Sequence, residues 1–373
     1  MLENIFNPNN FLFWILIIGI LAGIITFVFR LSLAYFKFVY PNAKFEAMGN
    51  PFITEKELTR LFSSKDLKNF KELLNTSKDY NVTGDTTHEL QNSLDNHFIQ
   101  NIEMMRKDSA KKINDFYDIY LEKLDFYLIK NVLKKRLNNE KIDEKIGEKS
   151  NTQTTKRLLY KLLDCKKEEI PLILKNYGFT KEVIVTFSVE KVDFLTLDIT
   201  LDKYIINKFK QLRLPQKCEK GKQKFVNYLV DISNIKNIIR VKHLGYDKDS
   251  CIKLFLGEGQ EIAYWKFKQM CDTASISEVV SVLTGTSFYN PLKDAQENYN
   301  QDKSVQILEN ALDTQFLKII RDISVENYNT IGPTLRFIVS KEFEIKNLKI
   351  ISKGIGESIS SDLIQKFVIM GGK

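Results

Sequence analysis

Two short phrases each recur three times in this chain, and they keep nearly the same distance from one another. The first is "SLDNHF" (Ser93–Phe98), "TLDKYI" (Thr200–Ile205) and "ALDTQF" (Ala311–Phe316), which places Asp95, Asp202 and Asp313 at steps of 107 and 111 residues. The second is "LIKNVLK" (Leu128–Lys134), "NIKNIIR" (Asn234–Arg240) and "NLKIISK" (Asn347–Lys353). It is preceded in each copy by an acid, at Asp125, Asp231 and Glu344. The acid of the second phrase follows the aspartate of the first by 30, 29 and 31 residues. Two independent motifs that hold one offset through three copies identify a triplicated unit. A chain of 373 residues is long enough to bury a core for each copy.

The units read as helical. "HELQNSLDNHFIQNIEMM", "LDITLDKYIINKFKQL" and "VQILENALDTQFLKIIRDI" carry apolar residues at steps of three and four. The second phrase has the same period, at Leu128, Ile129, Val132 and Leu133 and again at Ile235, Ile238 and Ile239. "TEKE" (Thr54–Glu57) and "SISE" (Ser275–Glu278) have the form of capping boxes that open shorter helices. Pro41, Pro51, Pro171, Pro215, Pro291 and Pro333 are expected near helix ends. "EVIVTFSV" (Glu182–Val189) is β-branched enough to read locally as a strand, but helical surroundings are expected to override it. The polar run Leu137–Lys156 is expected to be a linker. A second boundary is expected near Gly257. The predicted fold is all-α: an anchor at residues 1–35, then repeats at 36–145, 146–256 and 257–373.

One segment stands apart. Phe11–Phe29, "FLFWILIIGILAGIITFVF", has 19 residues without a charge. At 1.5 Å per residue, that is enough to cross a hydrocarbon core of about 30 Å. Met1–Asn10 contains Glu3 and no Lys or Arg, which argues against a cleaved leader, and basic residues follow at Arg30, Lys37 and Lys44. The positive-inside rule then predicts a cell-membrane anchor with its N-terminus outside and the body on the cytoplasmic face. The span contains no ionisable residue, so it is expected to anchor or plug and not to conduct.

The remaining chemistry is sparse. Cys165, Cys218, Cys251 and Cys271 lie far apart, and His88, His97 and His243 have no metal-ligand spacing to them. Neither a phosphate-binding loop nor a His-Glu-x-x-His or Gly-x-Ser-x-Gly motif is present. "LGEGQE" (Leu256–Glu261) reads as a plain loop. No cofactor, metal or catalytic residue is expected. The repeated Asp95, Asp202 and Asp313 are expected to pair with Lys130, Lys236 and Lys349 on the partner helix of the same unit, fixing helix register. The rival reading makes these carboxylates catalytic acids or bases. A net charge of +8 and a pI of 9.0 suggest an acidic partner. Lysine is nevertheless spread among Glu, Asn and Ile as on a solvated surface, so nucleic acid is not the expected partner.

The order and spacing of these motifs resemble the C-subunit family of archaeal A-type ATP synthases, whose eukaryotic relative is the d-type subunit of the vacuolar-type ATPase. "YPNAKFEAM" and "ITEKELTRLF" (Tyr40–Met48 and Ile53–Phe62) are similar to the family's opening, with Asn42 and Lys44 echoing the Asn-x-Lys phrase. Lys341–Phe367 is similar to its closing helices, and the resemblance covers residues 36 to 370. It implies a pseudo-threefold funnel present as one copy per complex. Such a protein would be a non-catalytic rotor element linking a proteolipid ring to the D and F subunits of the central stalk, and would pass torque during ATP synthesis coupled to proton or sodium transport. Copy one has Leu128 where the others have Asn234 and Asn347, and the segment before residue 36 lies outside the usual family pattern. A span on the rotor axis is expected to plug the ring's pore. The alternatives are a membrane-anchored helical scaffold of another complex, an anchored nucleic-acid-binding protein, and an enzyme.

Overall fold

The computed structural model describes residues 11–48, 53–77, 79–187 and 192–369. Met1–Asn10, Pro51, the end of "EVIVTFSV" (Ser188–Val189) and the tail Gly371–Lys373 lie outside them. Among the described residues every regular element is a helix.

The chain begins with α1 (Phe11–Met48), then α2 (Glu55–Phe62) and α3 (Leu67–Asn75). A long pair follows, α4 (Thr87–Asp108) and α5 (Asn114–Leu137). Short helices α6 (Gln153–Asp164), α7 (Ile170–Asn176) and α8 (Lys181–Val185) lead to a second long pair, α9 (Phe194–Gln211) and α10 (Gln216–His243). After α11 (Lys248–Ile252), α12 (Tyr264–Asp272), α13 (Ile276–Val282) and α14 (Tyr289–Asp302) comes the third pair, α15 (Val305–Glu326) and α16 (Gly332–Gly356), and then α17 (Ser361–Phe367).

Local chemistry explains these boundaries. Thr54 and Glu57 form a reciprocal capping box at α2, as Thr86 and Glu89 do at α4, satisfying N–H groups the first turn leaves unpaired. Ser275 accepts from the Glu278 N–H at the start of α13. Along α4 the buried face is Leu90, Leu94, Phe98, Ile102 and Met105, the three- and four-residue step of a helix with one side in the core. Leu94, Leu201 and Leu312, the leucines of the recurring phrase, are fully buried.

The six long helices pack in a closed circuit. Within each pair α4 contacts α5, α9 contacts α10 and α15 contacts α16; between pairs α5 contacts α9, α10 contacts α15, and α16 returns to α4. The chain's last long helix therefore lies against the first of the six.

Two expectations need correcting. Pro41 lies inside α1, seven residues before its end, where it leaves out the N–H that would bond to the Lys37 carbonyl. It is buried there, between contacts to α4 and α16 that hold the helix in place. The run Leu137–Lys156 is not a loose linker: Ile146–Lys149 form a 3₁₀ turn with Ile146 buried, and α6 starts at Gln153. Lys181–Val185 is helical, as expected: its helical surroundings override the β-branched composition.

Helix α1 has two halves of different character. No residue of its most apolar window is buried, and it exposes Trp14, Ile18, Ile25 and Phe29, among others; it is long and apolar enough to cross a membrane by length and composition. Its second half is docked on the body. The Asn42 amide donates to the carbonyls of Tyr328 (2.6 Å) and Thr330 (3.0 Å). Lys44 pairs with Asp108 at 2.6 Å, and the Phe45 ring lies 5.7 Å from that of Phe337.

Candidate functional site

The recurring acids and lysines meet where the long pairs join. Lys130 on α5 donates to Asp202 on α9 at 2.7 Å. Lys236 on α10 bonds Asp313 on α15. Lys349 on α16 donates to Asp95 on α4 at 2.6 Å. Each lysine thus pairs with the aspartate of the next copy, and the third with that of the first. The expected pairing within a unit is incorrect. The residues of one copy alternate along its hairpin, but the helix that a lysine's face meets belongs to the neighbouring pair. Sequence spacing does not reveal that choice.

The three pairs differ in burial. Asp313 is 3% exposed and also receives Lys346 at 3.0 Å, while Lys236 is 16% exposed and burial holds its ammonium below the usual lysine range. Lys349 and Asp95 are 34% and 44% exposed. One pair is therefore a core interaction and another is close to a surface contact.

A second row of pairs lies one turn away, and the sequence reading missed it except for Arg240. Lys134 bonds Asp198 at 2.5 Å. Arg240 grips Glu309 through two nitrogens, Nε at 2.5 Å and Nη2 at 2.9 Å, a bidentate arrangement. These residues lie four positions after the recurring lysine and four before the recurring aspartate, a spacing that could have revealed them. At the third junction the corresponding residues are Lys353 and Gln91. No acid stands there, and Gln91 instead donates to the Lys349 carbonyl at 3.2 Å.

The acids that open the second phrase have another task. Asp231 is fully buried and accepts the backbone N–H groups of Gln260 (2.9 Å), Glu261 (2.8 Å) and Ile262 (3.0 Å). Burial nevertheless raises its pKa to about 6. Asp125, likewise buried and raised, accepts from Asn151 N (2.7 Å) and Thr152 N (3.0 Å). Glu344 accepts from the Ile53 N–H, from Lys341 at 2.7 Å and from the Tyr80 hydroxyl, and burial raises it too. Each carboxylate anchors the stretch leading into a set of short helices, and the third reaches back to the entrance of α2. Gly259 permits this for Asp231: a Cβ there would lie 1.9 Å from the carboxylate oxygen. The loop Leu256–Glu261 is thus an anchoring loop and more than a plain connection.

The recurring asparagines close further loops. Asn234 exchanges two bonds with the backbone, to the Gly257 carbonyl and from the Leu256 N–H, both 2.9 Å. Asn347 does the same with Ile369, at 2.8 and 2.9 Å. Leu128 in copy one is instead a buried apolar contact. Among the described residues no three His, Cys, Asp or Glu side chains come together as a metal-ligand set.

The family model of the ATP synthase (C/AC39) subunit matches residues 41–367. Similar proteins include the C subunit of the A-type ATP synthase of Methanosphaera stadtmanae, 25% identical over 97% of this chain and 96% of that protein. Those of Methanobrevibacter smithii (26% identical; 92% and 90% covered) and Methanocaldococcus jannaschii (26%; 97% and 94%) are similar to the same degree. The family model begins beyond the apolar half of α1. The alignments that cover 97% of this chain leave out only about 11 of its residues, and so run into that half.

Proposed function

The chain belongs to the ATP synthase (C/AC39) subunit family, and from that premise we propose that it is a non-catalytic rotor component of an A-type ATP synthase. In this reading residues 36–145, 146–256 and 257–373 are three equivalent units set about a pseudo-threefold axis as a funnel. One copy per complex links the proteolipid ring to the D and F subunits of the central stalk, and carries torque for ATP synthesis coupled to proton or sodium transport. The observation that carries the proposal is the cyclic pairing of Lys130, Lys236 and Lys349 with Asp202, Asp313 and Asp95. A body that transmits torque must resist shear between its parts, and ion pairs at every junction oppose sliding of one helix past the next. The repeated carboxylates are engaged in these pairs, which supports architecture over catalysis.

Helix α1 supports the rest of the reading. In this reading its apolar half lies in the cell membrane with the N-terminus outside and the body on the cytoplasmic face, where it tethers the protein and plugs the ring's pore. Affinity purification of the tagged full chain from mild-detergent membranes tests the proposal. The A, B, D and F subunits and the proteolipid ring are expected to co-purify. Recovery of a different assembly, or of nucleic acid, would overturn it.

A further inference from the structure

Helix α1 enters the body beside the start of α10. Lys217 Nζ lies 3.5 Å over the Tyr35 ring, and Gly221, one turn further along α10, is packed against Ile331 and Asn327. Between those two residues, the carbonyls of Tyr328 and Thr330 receive the Asn42 amide of α1. Phe45 and Glu46 then reach Phe337 and Arg336, past the first turn of α16. From Tyr35 onward α1 thus runs inward, and its apolar half projects away from the body at the end where α10 begins.

This entrance is cationic, with little acid to balance it. Arg30, Lys37 and Lys44 all precede the first acid of α1, Glu46. Residues 211–224 contain five cations and one acid, Glu219, which Lys222 holds at 2.7 Å. Lys37, Arg213 and Lys220 are exposed, and among the described residues none of the three is in an ion pair. Phe36, Val39 and Tyr40 are each more than half exposed, so apolar surface continues from the span into the cationic zone. Basic and aromatic side chains mixed at the end of an apolar helix are the pattern of a membrane–water boundary.

Helix geometry sets the zone at that boundary. The uncharged run ends at Phe29, and Tyr35 follows six residues later, about 9 Å at the helical rise. The polar layer on each side of a bilayer is roughly 5–7 Å thick. The field of an anionic surface extends about one Debye length further, roughly 8 Å. Lys217, seated on Tyr35, lies within that reach. We propose that the start of α10 and the neck of α1 bind the headgroups of anionic phospholipids, with Lys37, Arg213, Lys217 and Lys220 taking the phosphates. The inference rests on the reading that the apolar half of α1 lies in a membrane, and it specifies the lipid that the body meets there.

The test uses the purified full chain in vesicles of four parts phosphatidylcholine to one part phosphatidylglycerol. A photo-reactive residue is placed at Phe36 or, as a depth control, at Ile18. At Phe36 the captured ratio of phosphatidylglycerol to phosphatidylcholine should exceed that of the vesicle about fivefold. The triple variant Lys37→Gln, Arg213→Gln, Lys220→Gln changes only exposed side chains and should return the captured ratio to that of the vesicle. The triple variant Lys141→Gln, Lys145→Gln, Lys161→Gln, at exposed lysines beyond the far end of α5, should leave the enrichment in place. Capture at the vesicle's own ratio, or an equal loss in both triple variants, overturns the proposal. So does capture of protein at Phe36, whether a second copy of this chain or, in the assembled complex, another subunit. Where Ile18 still captures lipid, only this inference fails; where neither position does, the placement of α1 in a membrane fails with it.

Discussion

Removing Asp313 should destabilise this protein far more than removing Asp95, although the two occupy the same position in the same phrase. Asp313 is 3% exposed and holds Lys236, itself 16% exposed; Lys346, the second lysine on Asp313, is 43% exposed and can turn to water. Asp313→Ala therefore leaves one largely buried ammonium, that of Lys236, without its bonded carboxylate and with only Glu309 acting on it from further off, a change that costs up to about 3–5 kcal/mol. Asp95→Ala breaks a pair whose members are 34% and 44% exposed, and the remaining Lys349 ammonium rehydrates, at a cost of roughly 0–1 kcal/mol. Asp202→Ala, with exposures of 21% and 38%, should resemble Asp95→Ala more than Asp313→Ala. Urea unfolding of the full chain in mild detergent, followed by far-ultraviolet circular dichroism, measures the difference. The transition midpoints should separate while their slopes stay equal. Lys236→Met should rescue much of the Asp313→Ala loss, because it removes the stranded charge. If Asp313→Ala and Asp95→Ala fall within about 0.5 kcal/mol of one another, the burial argument is wrong.

Asp231 binds its proton more tightly in the folded chain than in the unfolded one, with a pKa of about 6 against an ordinary 3.8. Between about pH 4 and 6 the folded state holds the extra proton, so this group adds stability as pH falls through 6 and subtracts it as pH rises. Asp231→Asn should remove that dependence, and the gap in unfolding free energy between wild type and variant should change by up to about 3 kcal/mol between pH 7 and 4. Parallel slopes for the two proteins over that range would refute the assignment. Gly259→Ala should cost about 2 kcal/mol or more, because its Cβ meets the Asp231 carboxylate at 1.9 Å and the Asn227 carbonyl at 2.7 Å. Hydrogen exchange at Gln260, Glu261 and Ile262 should accelerate in that variant, and unchanged protection would count against the anchoring role.

The long helices and their spacing are legible in the sequence because period and caps are local properties. The buried leucines of the recurring phrase follow from the same step of three and four. What is not legible is which surface each helix turns to which neighbour. Lys130 lies as far along its hairpin as an intra-unit pair would require, yet its partner is Asp202 of the next copy. Glu344 finds the Ile53 N–H almost three hundred residues away, a contact no spacing rule contains. The asparagines illustrate the limit from another side: the phrase marks Asn234 and Asn347 as equivalent, and both exchange a pair of bonds with a later loop. Only coordinates name Leu256, Gly257 and Ile369 as the partners. Pro41 contradicts a local rule, and the packing of α1 on α4 and α16 explains why it is tolerated.

Helix α1 is one continuous element. Its 38 residues run unbroken from Phe11 to Met48, about 57 Å at the usual rise, and its one proline lies in the stretch gripped by the body, not in the apolar stretch. A flexible leash would let the body swing beneath its anchor. A stiff mast does not: whatever tilt a surrounding layer imposes on the apolar half is inherited by the helices clamped to its foot, and a twist applied at one end must appear at the other.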